Sequence, residues 1–120
     1  MNSRQQAMSI AEAIEDAKGC DIVVLDVSEI SGFADYFVIA SGTSNRHVRS
    51  LADRTLETLH GLDPGHARVE GLETCRWVLV DAFDVVVHLF LDEARDFYGL
   101  ERLWHEAPRV ERPERLARAL

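Results

Sequence analysis

Five histidines, two cysteines and one Ser/Thr-rich loop are the groups in this 120-residue chain whose types could do chemistry. His47, His60, His66, His88 and His105 fall in no HxxxH or HExxH spacing, so local sequence marks no zinc site. Cys20 and Cys75 stand far apart and in no CxxC pattern, which fits two reduced thiols. Ser41-Gly42-Thr43-Ser44 follows an apolar run and precedes a helical pattern, a setting in which free helix amides attract anions. It has a single glycine, and the chain has neither GxxxxGK[ST] nor GxGxxG. Helix capping by Ser44 accounts for the same residues. Metal-assisted nucleotide transfer needs paired acids on one strand face. Asp81 and Asp84 instead sit across a turn, and Asp26 and Asp35 stand alone near strand ends. His88 as a base has no identifiable nucleophile beside it. The expectation is no catalytic residue, no cofactor and no metal. The alternative is a nucleotide-binding or nucleotidyltransferase-like enzyme working through residues 41–44.

His88 remains to be explained, because it interrupts the apolar run "DVVVHLFL" at 84–91. The elements around it are legible. Met8, Ala11 and Ile14, with Ala7 and Ile10, recur at helical spacing over residues 4–18, and Gly19 ends that run. "DIVVLDV" (21–27) and "YFVIASG" (36–42) read as strands. From Ser44, the residues Val48, Leu51, Ala52, Thr55, Leu56 and Leu59 mark one face of an amphipathic helix that Gly61 could close. A Pro/Gly connection follows, with a short strand near Val69. "RWVLV" (76–80) and 84–91 form a hairpin. Residues 92–107 hold helical turns broken at Gly99. The order α-β-β-α-β-β-α predicts a single-domain α/β fold: a mixed β-sheet with flanking helices, a crossover between the second and third strands, and an antiparallel edge. The domain is read as 1–107 and the C-terminal tail as 108–120, either a short helix or a mobile end.

With Ala82-Phe83 at the hairpin tip, Val80 would face Val85 and Trp77 would face His88. One strand face then holds Val78, Val80, Val85, Val87 and Leu89, a core surface. The other holds Trp77, Leu79, Val86, His88 and Phe90. Either the C-terminal helix covers this second face and His88 is a satisfied core group, or the face is a docking surface. Few elements remain to cover it, and an apolar patch with aromatics marks a protein-binding site. The docking surface is the reading adopted.

Charge indicates the partner. The chain is 47% hydrophobic and 28% charged, with a formal net charge of −8. That balance argues against nucleic acid as the dominant contact and favours a basic protein. No apolar run has the length of a membrane span, and the polar N-terminus has no apolar leader. The expected setting is therefore cytoplasmic.

Four segments together resemble the ribosomal silencing factor family, also called Iojap-related: "ADYFVIASGTSNRHV" (34–48), "VEG" (69–71), "WVLVDAFDVVVHLF" (77–90) and "RDFYGLERLW" (95–104). The similarity spans most of residues 10–105. It implies a fold shaped like nucleotidyltransferases without their catalytic acids. It also implies binding to a basic large-subunit ribosomal protein at the subunit-joining face, blocked subunit association, and translation repressed when nutrients are scarce. A homodimer in the free state is a further implication. The chain departs from the family pattern at the tip Ala82-Phe83, at His47 in place of glutamine, and at Cys75. The docking face is expected to comprise Trp77, Leu79, His88 and Phe90. Asp92, Glu93 and Glu101 are its expected acidic rim, and Tyr98, Leu100, Leu103 and Trp104 its frame. A homodimer formed through the same apolar face, with no ribosomal role, is the blander reading.

Overall fold

The computed structural model describes residues 2–62 and 67–112. Helix α1 (Ser3–Asp16) starts at a capping box: Asn2 Oδ1 accepts from the Gln5 amide at 2.8 Å, and Gln5 Oε1 accepts from the Asn2 amide at 3.1 Å. It buries Ala7, Ile10, Ala11 and Ile14. It ends where Lys18 turns to a positive φ of 70° and Gly19 comes so close to Ile14 that a Cβ would lie 2.4 Å from the Ile14 Cγ2. Strand β1 (Cys20–Asp26) and strand β2 (Tyr36–Gly42) follow, then helix α2 (Asn45–Leu62), which buries Val48, Leu51, Ala52, Thr55 and Leu59. Gly61 does not close α2, since the helix runs through it to Leu62. Three strands come next: β3 (Arg68–Glu70), β4 (Trp77–Ala82) and β5 (Val85–Leu91). Helix α3 (Asp92–Tyr98) and helix α4 (Leu100–Leu103) are separated by Gly99, whose φ of 62° breaks the run.

The five strands form one mixed sheet in the order β1-β2-β5-β4-β3. Only β2 and β5 run parallel; every other pair is antiparallel. The crossover through α2 therefore does not place the next strands beside β2. The chain passes through β3 and β4 and lays β5 against β2. Helices α1 and α2 cover one face, burying Val78, Val80, Val85, Val87 and Leu89 with Val24, Val38 and Ala40. A second cluster lies on the opposite face: Leu25, Val27, Ala34, Phe37, Ile39, Val86, Phe90, Leu100 and Ala107, with Trp77, Leu79 and Trp104 packed against it.

The hairpin register differs from the sequence-based expectation by two residues. Ala82 pairs with Val85, Val80 with Val87, Leu79 with His88 and Trp77 with Phe90. The tip is Phe83-Asp84, not Ala82-Phe83. Phe83 takes a positive φ of 67°, and its amide donates to Asp81 Oδ1 at 2.9 Å, so the acid shapes the turn as its position implied.

Residues 108–112 lie along the outer edge of β1. The Asp26 amide donates to the Pro108 carbonyl at 2.9 Å, the Val110 amide donates to the Val24 carbonyl at 2.8 Å, and Arg112 reaches Glu15 on α1 at 3.3 Å. This segment covers a sheet edge that would otherwise expose unpaired backbone. The tail 108–120 was expected to be a short helix or a mobile end; residues 108–112 are instead held in extended form on β1, and 113–120 lie outside the described residues.

Candidate docking surface

On β4 the side chains of Trp77 and Leu79 point away from α1 and α2, onto the second cluster. Trp77 is half-buried. Its ring centroid lies 5.1 Å from Phe90 and 4.9 Å from Tyr98. Its indole Nε1–H donates to His88 Nδ1 at 3.2 Å. Phe97 stacks edge-on against Tyr98, at 5.2 Å between ring centroids. A run of aromatic rings therefore leads from the sheet outward, Phe90 to Trp77 to Tyr98 to Phe97. Its outer end is open: Tyr98 is 39% and Phe97 75% exposed.

His88 is not part of that open surface. It is 4% exposed, enclosed by Trp77 and by Phe37 at 4.7 Å. Burial in this apolar setting lowers its pKa from 6.5 to about 4, so the ring is neutral at pH 7. With Nδ1 accepting from Trp77, Nε2 carries the proton, and that atom has no hydrogen-bond partner among the described residues. Phe90 is fully buried and Leu100 is 7% exposed. These three expected docking residues form the floor of the surface, because α3, α4 and the segment around Ala34 close over this side of the sheet. Leu79 is half-buried, and Leu103 projects outward at 76% exposure. Trp104 is half-buried and separate from Trp77. It packs on Phe37 at 5.0 Å and on the exposed Phe33 at 6.1 Å.

The acidic residues divide into two kinds. Asp92 and Glu93 lie exposed in the first turn of α3, where the helix dipole favours them. Glu101 is engaged: it accepts from Arg95 Nε at 2.8 Å and lies 3.7 Å from Arg109, and the Arg95 hydrogen bond holds its carboxyl below the usual range. Arg95 is nearly buried, and its Nη1 donates to Ser41 Oγ at 2.9 Å. Arg95 and Glu101 line a polar cleft of about 460 Å³ with Asp21, Asp92 and Asp96, beside the end of β5.

The loop 41–44 spends its groups internally. Ser41 is fully buried and taken by Arg95. Gly42 is packed so closely on Val48 that a Cβ would lie 2.9 Å from the Val48 nitrogen. Ser44 Oγ caps α2 by accepting from the His47 amide at 3.0 Å. The Thr43 amide donates to His47 Nδ1 at 3.0 Å, which leaves His47 Nε2–H for the Ala17 carbonyl at 3.0 Å. The imidazole thus accepts from the loop before α2 and donates to the end of α1, the acceptor and donor pair a glutamine amide would also supply. Among the described residues no three His, Cys, Asp or Glu side chains are grouped to hold a metal, and Cys20 and Cys75 are free. His66 lies outside the described residues. No helix among them is long and apolar enough to cross a membrane.

Sequence reasoning missed Phe97, hidden in "RDFYGL" between the acid at 96 and Tyr98. Its position beyond the buried side of α3 was the available signal, since α3 buries only Ala94.

Residues 1–119 match the family model described as "Ribosomal silencing factor during starvation". The ribosomal silencing factor RsfS of Chromobacterium violaceum is 44% identical over 93 residues, covering 78% of this chain and 76% of that protein. The one from Bacillus subtilis is 39% identical over 108 residues, covering 90% and 92%. The mouse protein named "Mitochondrial assembly of ribosomal large subunit protein 1" is 39% identical over 88 residues, covering 70% of this chain and 38% of that protein. A crystal structure of a Chromobacterium violaceum protein superposes with a TM-score of 0.84 at 38% identity, covering 95% of this chain and 92% of that one.

Proposed function

We propose a function from a fixed premise: this chain belongs to the ribosomal silencing factor family. It docks on the large ribosomal subunit through a basic ribosomal protein at the subunit-joining face, stands in the way of the small subunit, and so represses translation in the cytoplasm under nutrient limitation. The observation that carries the docking surface is the open aromatic run of Trp77, Tyr98 and Phe97. Leu79 beside Trp77 and the exposed Leu103 on α4 add apolar area, Asp92 and Glu93 supply negative charge at its rim, and Trp104 supports the far side. His88, Phe90 and Leu100 act from beneath by holding the rings in place. Contiguous exposed aromatics next to exposed carboxylates suit a partner with a basic rim and an apolar centre. The mouse relative's name, which refers to the large ribosomal subunit, points the same way. Free of ribosomes, the same apolar face is the proposed surface of a homodimer.

The role is regulatory and not catalytic in this reading. The 41–44 loop supports that view, because the Ser41 and Ser44 hydroxyls and the Thr43 amide are engaged by Arg95 and His47. The test is a subunit-joining assay. Purified large and small subunits are mixed with increasing protein and separated on sucrose gradients. The protein is expected to travel with the large subunit and to diminish the joined peak. Joining that is unchanged while the protein stays at the top of the gradient would refute the proposal.

A further inference from the structure

Beside Trp77, the side chains of Leu79 and Glu70 and the backbone of Gly71 enclose an open groove of about 250 Å³. Its shape follows from strand pairing. Glu70 on β3 pairs with Leu79 on β4, so both side chains stand on the same sheet face, and Trp77 stands there two residues along. Gly71 ends β3 with φ at 93°, and a Cβ there would lie 2.1 Å from the Trp77 carbonyl oxygen. No side chain can therefore fill the groove from below. Its wall is an indole, its floor is apolar, and among the described residues its one charged lining residue is Glu70. That carboxylate is exposed and, among the described residues, has neither an ion pair nor a hydrogen bond.

We propose that this groove receives a single arginine side chain of the basic protein partner. The aliphatic stem lies on Leu79 and Gly71, the guanidinium plane stacks on the Trp77 indole, and its N–H groups donate to the Glu70 carboxylate. Charge complementarity selects this occupant. An apolar side chain would strand the Glu70 charge against the indole, and an acidic one would be repelled by it. A lysine would satisfy Glu70 but lacks a planar cation to lie on the indole. The inference deepens the docking reading above and rests on it for the partner's identity.

The experiment has two arms on the full chain. In the first, ¹H–¹⁵N spectra follow titration with tetra-arginine and with tetra-lysine. Tetra-arginine is expected to shift the Trp77 indole and Gly71 amide signals saturably, with tetra-lysine several-fold weaker. Glu70→Gln, an exposed substitution that leaves the spectrum otherwise native, is expected to weaken the tetra-arginine effect at least fivefold. Shifts confined to Asp92, Asp96 and their neighbours, or shifts at Trp77 indifferent to Glu70→Gln, would overturn the groove. In the second arm, Glu70→Gln and Glu70→Leu are compared with wild type for binding to purified large subunits, and both are expected to lose about tenfold in affinity. Glu70→Leu binding as tightly as wild type or tighter would mean an apolar occupant and would overturn the arginine. If wild type binds tetra-arginine at Trp77 but not the large subunit, the groove stands and the ribosomal reading fails.

Discussion

The indole N–H of Trp77 donates to Nδ1 of His88 across 3.2 Å, joining the most buried titratable ring on the sheet to a half-exposed aromatic at the edge of the proposed docking surface. The bond fixes the neutral tautomer of His88 and the direction of the indole plane together. It also answers why a histidine interrupts an apolar strand. At that position Trp77 needs an acceptor, and a hydrocarbon side chain would leave its N–H unpaired. The cost is an Nε2–H on the other side of the ring that has no partner among the described residues.

The first prediction concerns pH. His88 has its pKa lowered from 6.5 to about 4 in the folded chain, so the unfolded chain binds the proton more readily between those values. Stability from keeping the ring neutral is fully present above pH 6.5 and is lost as pH falls towards 4. The loss amounts to about 3 kcal/mol by proton linkage. Thermal melts from pH 7.5 to 4.5 are expected to show this decline, and His88→Gln, which keeps an acceptor for Trp77, is expected to flatten it. A wild-type decline equal to that of His88→Gln would assign it to the carboxylates.

Trp77→Ala should affect both folding and binding. The substitution removes packing on Phe90 and Tyr98 and leaves His88 Nδ1 unpaired, at a cost of about 2–4 kcal/mol in stability. It should also weaken large-subunit binding when measured well below the melting temperature. Val87→Ala, fully buried on the opposite face, is the contrast: it should cost about 2 kcal/mol of stability with binding unchanged. Equal binding losses for the two variants would mean that binding reports only on folding.

Arg95 joins the end of β2 to α4 through Ser41 and Glu101. Its removal would take the nearer of two cations from the partly buried Glu101 carboxylate and leave the buried Ser41 hydroxyl without its donor. Arg95→Ala is expected to lose about 2–3 kcal/mol, read as a lower melting temperature. Arg95→Lys should recover less than half of that, since one ammonium cannot fork to both partners. Full recovery by lysine would reduce the role of Arg95 to simple charge.

Much of this arrangement was legible in the strand alternation. The hairpin pairing was expected two residues away from where it lies, yet Val78, Val80, Val85 and Val87 still fall on one face and Trp77, Leu79 and His88 on the other. Side chains alternate with period two, so a slip of two preserves both faces. The tip was less legible because Phe83 adopts a positive φ that its residue type disfavours, in a turn to which Asp81 contributes a hydrogen bond. Coverage of His88 was legible only as the alternative that was not adopted. It depends on Phe37, Trp77 and the α3–α4 turn converging from distant parts of the chain, which no local pattern encodes. The same holds for Val110 and Arg112, whose sequence reads as tail but whose backbone and charge find β1 and Glu15.

The most direct test of the proposed docking surface is the affinity of Phe97→Ala for purified large subunits, with melting temperature recorded on the same sample. Phe97 is 75% exposed, so its truncation should leave melting within about 0.5 kcal/mol of wild type, as for other surface positions. As the outermost ring of the run, it should cost about 2 kcal/mol in binding, roughly 30-fold in Kd. Binding that is unchanged in a normally folded Phe97→Ala protein would place the docking surface elsewhere and contradict the account.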